Sequence, residues 1–138
     1  MATSNGSYAN GIYAYSDGDN SPLKVINTGD MTVDATDGDA AGIRAYSDEE
    51  QSPVTVWNSG NFTVSAKNGD AYGIYANSFD PNSPVKVVNS GDITAMSRGG
   101  DYASGIGVET DDDDSPITIQ NSGRISAVGK GGALVDRI

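Results

Sequence analysis

The chain contains no cysteine and no histidine. Without cysteine there is no disulfide, thiolate metal site or cysteine nucleophile. Without histidine the usual general base, the usual zinc ligand and the side chain that titrates near neutral pH are all missing. Basic residues are scarce, 8 against 19 acidic ones, for a formal net charge of −11. That balance disfavours bare nucleic acid and anionic lipid as partners, because both need clustered Lys and Arg. It also keeps a repetitive β-rich surface soluble. No apolar run approaches the roughly 20 residues of a membrane-spanning helix. The opening MATSNGSYAN has neither the basic start nor the apolar stretch of a signal peptide, so an exported protein is expected to carry its targeting parts elsewhere.

What the chain does have is repetition. NSPLKVINTGDMTV from Asn20, QSPVTVWNSGNFTV from Gln51, NSPVKVVNSGDITA from Asn82 and DSPITIQNSGRISA from Asp114 are variants of one segment. The Gly-Ile pairs at Gly11, Gly42, Gly73 and Gly105, the Ser-Pro pairs at Ser21, Ser52, Ser83 and Ser115, and the turns at Asn27, Asn58, Asn89 and Asn121 all step by 31, 31 and 32 residues. The extra residue falls in the loop MSRGGDYAS. Within each repeat the apolar period is two, the mark of a half-buried strand, and no stretch has helical spacing. Ile74 and Ala76, Val85 and Val87, and Ile93 and Ala95 face inward in the third repeat; Tyr75, Asn77, Lys86 and Thr94 face outward.

Three short strands with one apolar face each cannot bury those faces alone. A chain wound as a three-sided parallel β-helix (β-solenoid) can, since each strand then pairs with its copy one repeat later, about 4.8 Å along the axis. An all-β solenoid of about four coils is therefore expected, with a right-handed turn favoured by the handedness of parallel connections. At 138 residues it forms one repeat domain, with coils at approximately 11–41, 42–72, 73–104 and 105–138 after a partial coil at 1–10. An antiparallel sandwich or propeller fragment is the alternative. Asn27, Asn58, Asn89 and Asn121 are expected to stack as an internal amide ladder. The glycine that follows in each turn suits a bend with positive φ. Pro22, Pro53, Pro84 and Pro116 suit the first residue of a strand.

Acidic residues are the first place to look for chemistry. SDGDN, SDEEQ, FDPN and TDDDD fall at one corner, and carboxylates stacked at coil spacing can be relieved by Ca²⁺. Asp111, Asp112, Asp113 and Asp114 are the densest group, and Asp39, Asp70 and Asp101 form a second column after Gly38, Gly69 and Gly100. An Asp in such a turn more often caps backbone than binds metal. DGDAAG has Ala41 where a calcium loop wants an oxygen ligand. GKGG at 129–132 lacks the surroundings of a phosphate loop. No catalytic residue is assigned and no cofactor is required, calcium being the one candidate. Paired acids acting on a polysaccharide, the enzymatic alternative, should break the repeat at one place with an ordered constellation, and the variation here is acidic without such order.

The outward positions offer the better case. Tyr13, Arg44 and Tyr75 should stack in one column, and Tyr15, Tyr46 and Asn77 in the next. Ile26, Trp57, Val88 and Gln120 should line another face beside Lys24, Thr55, Lys86 and Thr118. Tyr13, Tyr15, Tyr46, Tyr75 and Trp57 are thus the candidate binding surface, because exposed aromatic ladders stack on sugars or dock proteins. The same ladders also stabilise neighbouring strands.

GIYAYS, SPVKVVNSGDITA and NGDAYGIYA resemble the repeats of autotransporter passenger domains and related adhesins of Gram-negative bacteria, over roughly Gly6 to Ala127. The resemblance implies a β-helical adhesive shaft, secreted or displayed on the outer membrane, held there only through a translocator that this chain does not contain. It implies a surface glycan or protein of a host or neighbouring cell as partner, and it carries over no catalytic residue. Open solenoid ends invite end-to-end self-association. A calcium-stabilised module and a segment of a phage-like or self-assembling fibre are the alternative functions.

Overall fold

The computed structural model describes residues 1–100, 102–111, 114–130 and 133–137. Strands account for all the regular structure among the described residues, with no helix. One sheet is built from β1 (Ala2–Ser4), β4 (Met31–Ala35), β7 (Phe62–Ala66), β10 (Ile93–Ser97) and β13 (Ile125–Val128). A second contains β2 (Tyr8–Ser16), β5 (Asp39–Ser47), β8 (Ala71–Ser78), β11 (Ala103–Thr110) and β14 (Ala133–Arg137). The third holds β3 (Leu23–Asn27), β6 (Val54–Asn58), β9 (Val85–Asn89) and β12 (Ile117–Asn121). Every strand pair is parallel and joins a segment to its copy in the next repeat, as in Val54 with Val85 and Phe62 with Ile93. The antiparallel alternative is thereby excluded. The chain is a three-sided β-solenoid of about four turns.

The interior is a set of stacked columns: Val54, Val56, Val64, Ile74, Ala76 and Val87 are wholly buried. Each buried Val or Ile side chain contributes about 1.5–3 kcal/mol of apolar transfer. Several inner residues of the outer coils, namely Ile12, Leu23, Met31, Ile117 and Ile125, are only partly covered. A solenoid coil is roofed by its neighbours and has nothing else to bury against.

The long strands depart from simple alternation. In β8, Ala71 and Ile74 are both buried, Gly73 between them is buried too, and Tyr72 and Tyr75 are both half-buried. The backbone slips phase at the glycine, and the strand registers pass over Gly11, Gly42, Gly73 and Gly105 without pairing them. A Cβ on Gly73 would run into the Ile93 side chain and the Gly105 carbonyl. An inward Ala column, Ala9, Ala40, Ala71 and Ala103, thus precedes the Gly-Ile pair.

Two corner expectations are corrected. The glycines of the Asn-Ser/Thr-Gly turns do not adopt positive φ; that conformation belongs to Asn20, Gln51 and Asn82, at φ of 55°, 55° and 57°. Glycine is needed because a Cβ on Gly60, Gly91 or Gly123 would meet the backbone carbonyl of the glycine one coil earlier. The prolines lie one residue ahead of the strands, and their carbonyls serve the stack: Pro53, Pro84 and Pro116 accept from the N–H groups of Leu23, Val54 and Val85. Side-chain ladders lock the same corners. Nδ2 of Asn27, Asn58 and Asn89 each donates at 2.7 Å to Oδ1 of the next asparagine, ending at Asn121. The same Nδ2 groups bond the carbonyls of Gly29, Gly60 and Gly91. The Ser-Pro serines form a second ladder, with Oγ of Ser52, Ser83 and Ser115 accepting from the backbone of the preceding serine.

Candidate functional site

The aromatic residues concentrate on the outer face of the sheet containing β2, β5, β8 and β11. Registers stack Tyr13, Arg44 and Tyr75 in one column and Tyr15, Tyr46 and Asn77 in the next. Tyr46 is the hub: its ring centroid lies 6.1 Å from Tyr13, 5.9 Å from Tyr75 and 6.5 Å from Phe79. Tyr13 and Tyr15 are exposed, whereas Asn77, expected at the surface, is buried, with Nδ2 donating to Glu109 at 3.4 Å. Trp57 lies apart, on the sheet of β6, with the Lys24 ammonium 4.3 Å from its ring centroid. Trp57 also lines a shallow groove with Ile26 and Val88, on a face separate from the tyrosines.

Arg44 occupies the centre of the tyrosine face. Its guanidinium is within 5.5–5.9 Å of the ring centroids of Tyr8, Tyr75, Tyr46 and Tyr72. Its side chain is 13% exposed and its charge is balanced by Asp39 at 3.8 Å. Four tyrosine rings and one carboxylate surround the half-buried cation, each ring contributing through its quadrupole. Tyr8, Tyr72 and Tyr102 are members of this face that strict alternation did not reveal. Tyr72 is brought beside Tyr75, ring centroids 5.0 Å apart, by the phase slip at Gly73.

The Gly-Asp column resolves into backbone caps. Asp39 Oδ1 accepts from the N–H of Asp70 at 3.0 Å, and Asp70 Oδ1 accepts from the N–H of Tyr102 at 2.9 Å. The next place in the column therefore belongs to Tyr102 rather than Asp101, since the inserted residue shifts the register by one. Asp101 itself lies outside the described residues, as do Asp112 and Asp113; Asp111 and Asp114 are exposed. A parallel column not anticipated from sequence caps another corner: Asp30, Asn61 and Asp92 accept from the backbone N–H groups of Asn61, Asp92 and Arg124, each at 2.8 Å. Its signal was present as the residue after each Asn-Ser/Thr-Gly. At the loop corner, a hydrogen bond with Asp19 and the nearby charges of Asp80 and Asp17 hold the Glu49 carboxyl above its ordinary value. Among the described residues no three Asp or Glu side chains are grouped closely enough to hold a metal ion.

Four phenols of this face, those of Tyr15, Tyr46, Tyr72 and Tyr75, are held above their ordinary value. Burial, then the charges of Asp70 and Asp39, push Tyr72 above its ordinary value of 10.0. Burial does the same to Tyr46 and Tyr75, and a hydrogen bond to Asp48 does so to Tyr15. A folded-state pKa above the unfolded one means stability that is complete below about pH 10 and lost as pH rises beyond it. Urea melts between about pH 9 and 12 are expected to show that fall, and Tyr72→Phe to flatten it. An unchanged profile in Tyr72→Phe would assign the alkaline loss elsewhere.

No protein family, curated protein or solved structure matches this chain. Fold and site together define it as a parallel β-solenoid with a tyrosine-rich outer face.

Proposed function

We propose that this chain is a non-enzymatic structural and adhesive segment, a rigid shaft that presents its tyrosine face to a glycan or protein on a host or neighbouring cell. The observation that carries this reading is the clustering of Tyr8, Tyr13, Tyr15, Tyr46, Tyr72, Tyr75 and Tyr102 along one outer face, with Arg44 half-buried among them. Stacked strands need no such asymmetry between faces for stability, whereas aromatic anchors on a flat rigid surface suit recognition. The repeat motifs, through their likeness to autotransporter and adhesin repeats, support secretion or outer-membrane display as the setting.

The test is binding of the purified chain to a glycan panel and to fixed mammalian and bacterial cells, with and without EDTA. Binding is expected to survive EDTA and to weaken about tenfold in Tyr13→Ala/Tyr75→Ala. Retention of full binding in that variant, or binding to none of the surfaces, would overturn the reading.

A further inference from the structure

The column through Tyr13, Arg44 and Tyr75 continues at Gly107, where the side chain is missing. Beside it lies a cavity of about 460 Å³, within the roughly 300–1,000 Å³ of ligand pockets. Tyr72, Tyr75 and Tyr102 supply aromatic walls, and Glu109 and Asp111 supply carboxylates. No lysine or arginine is among the described residues that line it. Glu109 is anchored, accepting from the Tyr75 hydroxyl at 3.0 Å, so a carboxylate is held at the rim next to a ring.

The same sheet already shows what such surroundings hold. Two coils earlier in this column, tyrosine rings and Asp39 enclose the Arg44 guanidinium, and two of those rings, Tyr72 and Tyr75, are shared with the cavity. From this we infer that the cavity at Gly107 is a binding site for a guanidinium group, the arginine side chain of a partner peptide or protein. The inference rests on the tyrosine face being a binding surface and names what one part of it takes. Aromatic faces and a carboxylate attract a delocalised, weakly hydrated cation more than a neutral sugar. The net charge of −11 adds a long-range attraction for basic partners.

Gly107 also provides the means to test it. Its backbone is not in the left-handed region, and a Cβ there would meet the Tyr75 ring edge at 3.1 Å and Ser104 Oγ at 3.6 Å. Those are side-chain atoms that can yield, so Gly107→Arg should fold and fill the cavity with the chain's own guanidinium. The probe is the peptide acetyl-Gly-Arg-Gly-amide, titrated by NMR of the tyrosine ring protons, with the neutral citrulline peptide and methyl β-galactoside as comparisons. A dissociation constant on the order of 1 mM is expected for so small a probe. The citrulline peptide and Glu109→Gln should each weaken binding at least about fivefold. Gly107→Arg should abolish it.

Equal binding of the citrulline peptide, binding of the sugar alone, or no binding would overturn the inference. Thermal melts of each variant establish that it is folded. If the parent chain binds cells through Tyr13 and Tyr75 but does not bind the arginine peptide, the adhesive reading stands and only the guanidinium site falls.

Discussion

Asn58→Ala should lower stability by about 3–5 kcal/mol, because the side chain it removes is buried and hydrogen-bonded at both ends. The residue is 3% exposed and sits in the middle of the amide ladder. Its Oδ1 accepts from Asn27, and its Nδ2 donates to Asn89 at 2.7 Å and to the Gly60 carbonyl at 2.8 Å. Alanine removes all three bonds and leaves two buried acceptors, Asn89 Oδ1 and the Gly60 carbonyl, without a substitute, at about 1–3 kcal/mol for each unsatisfied group. Against a total stability of about 5–15 kcal/mol this is a large fraction. Asn121, exposed at the end of the ladder, accepts from Asn89 and donates to Gly123, and water can replace those bonds, so Asn121→Ala should cost about 1 kcal/mol. Paired urea melts decide the matter; equal losses at the two positions would mean that the ladder does not act through burial.

The second large effect distinguishes glycines that look alike in sequence. Gly29 and Gly91 both close an Asn-Ser/Thr-Gly turn. A Cβ on Gly91 would overlap the Gly60 carbonyl oxygen and lie 2.6 Å from its carbon, whereas one on Gly29 meets nothing within 4 Å. Neither glycine has a positive φ, so only the stacking distance separates them. Gly91→Ala must push two coils apart at a point where backbone faces backbone, costing about 3 kcal/mol or more. Gly29→Ala should be neutral or stabilising by about 0.4–1 kcal/mol, through the lower entropy of the unfolded chain. Thermal melts of the two variants would show a destabilised Gly91→Ala beside an unimpaired Gly29→Ala; similar melting temperatures would refute close coil contact as the reason for the glycines.

Much of the architecture was legible because each strand pairs with its own copy. Repeats of 31, 31 and 32 residues set the register by themselves, so Ile26, Trp57, Val88 and Gln120 had to fall in one column once the fold was parallel. The candidate site was less legible. Tyr13, Tyr15, Tyr46 and Tyr75 follow from alternation, but Tyr72 and Tyr8 do not, because counting back from Ile74 or Ile12 in steps of two places them on the inner side. Asn77 shows the converse: it occupies an outward place in register and is nevertheless covered. Among the acidic residues, Asp39 and Asp70 were recognisable as a column, while the direction of their bonds, to the backbone of the following coil, depends on how closely the coils approach.

Sequence alone thus determined the fold class, the number of turns and which residues share a column, since tandem copies of a strand with one apolar face have a single efficient way to bury it. Tertiary structure decided which outward residues meet. A glycine that cannot carry a Cβ against Ile93 or its neighbours shifts the phase of the long strand and turns Tyr72 toward Tyr75. One inserted residue places Tyr102 where the earlier coils have Asp39 and Asp70, and the missing side chain of Gly107 opens the cavity between them. Period-two patterning describes only a regular pleat, and the tyrosine face is built where the pleat breaks.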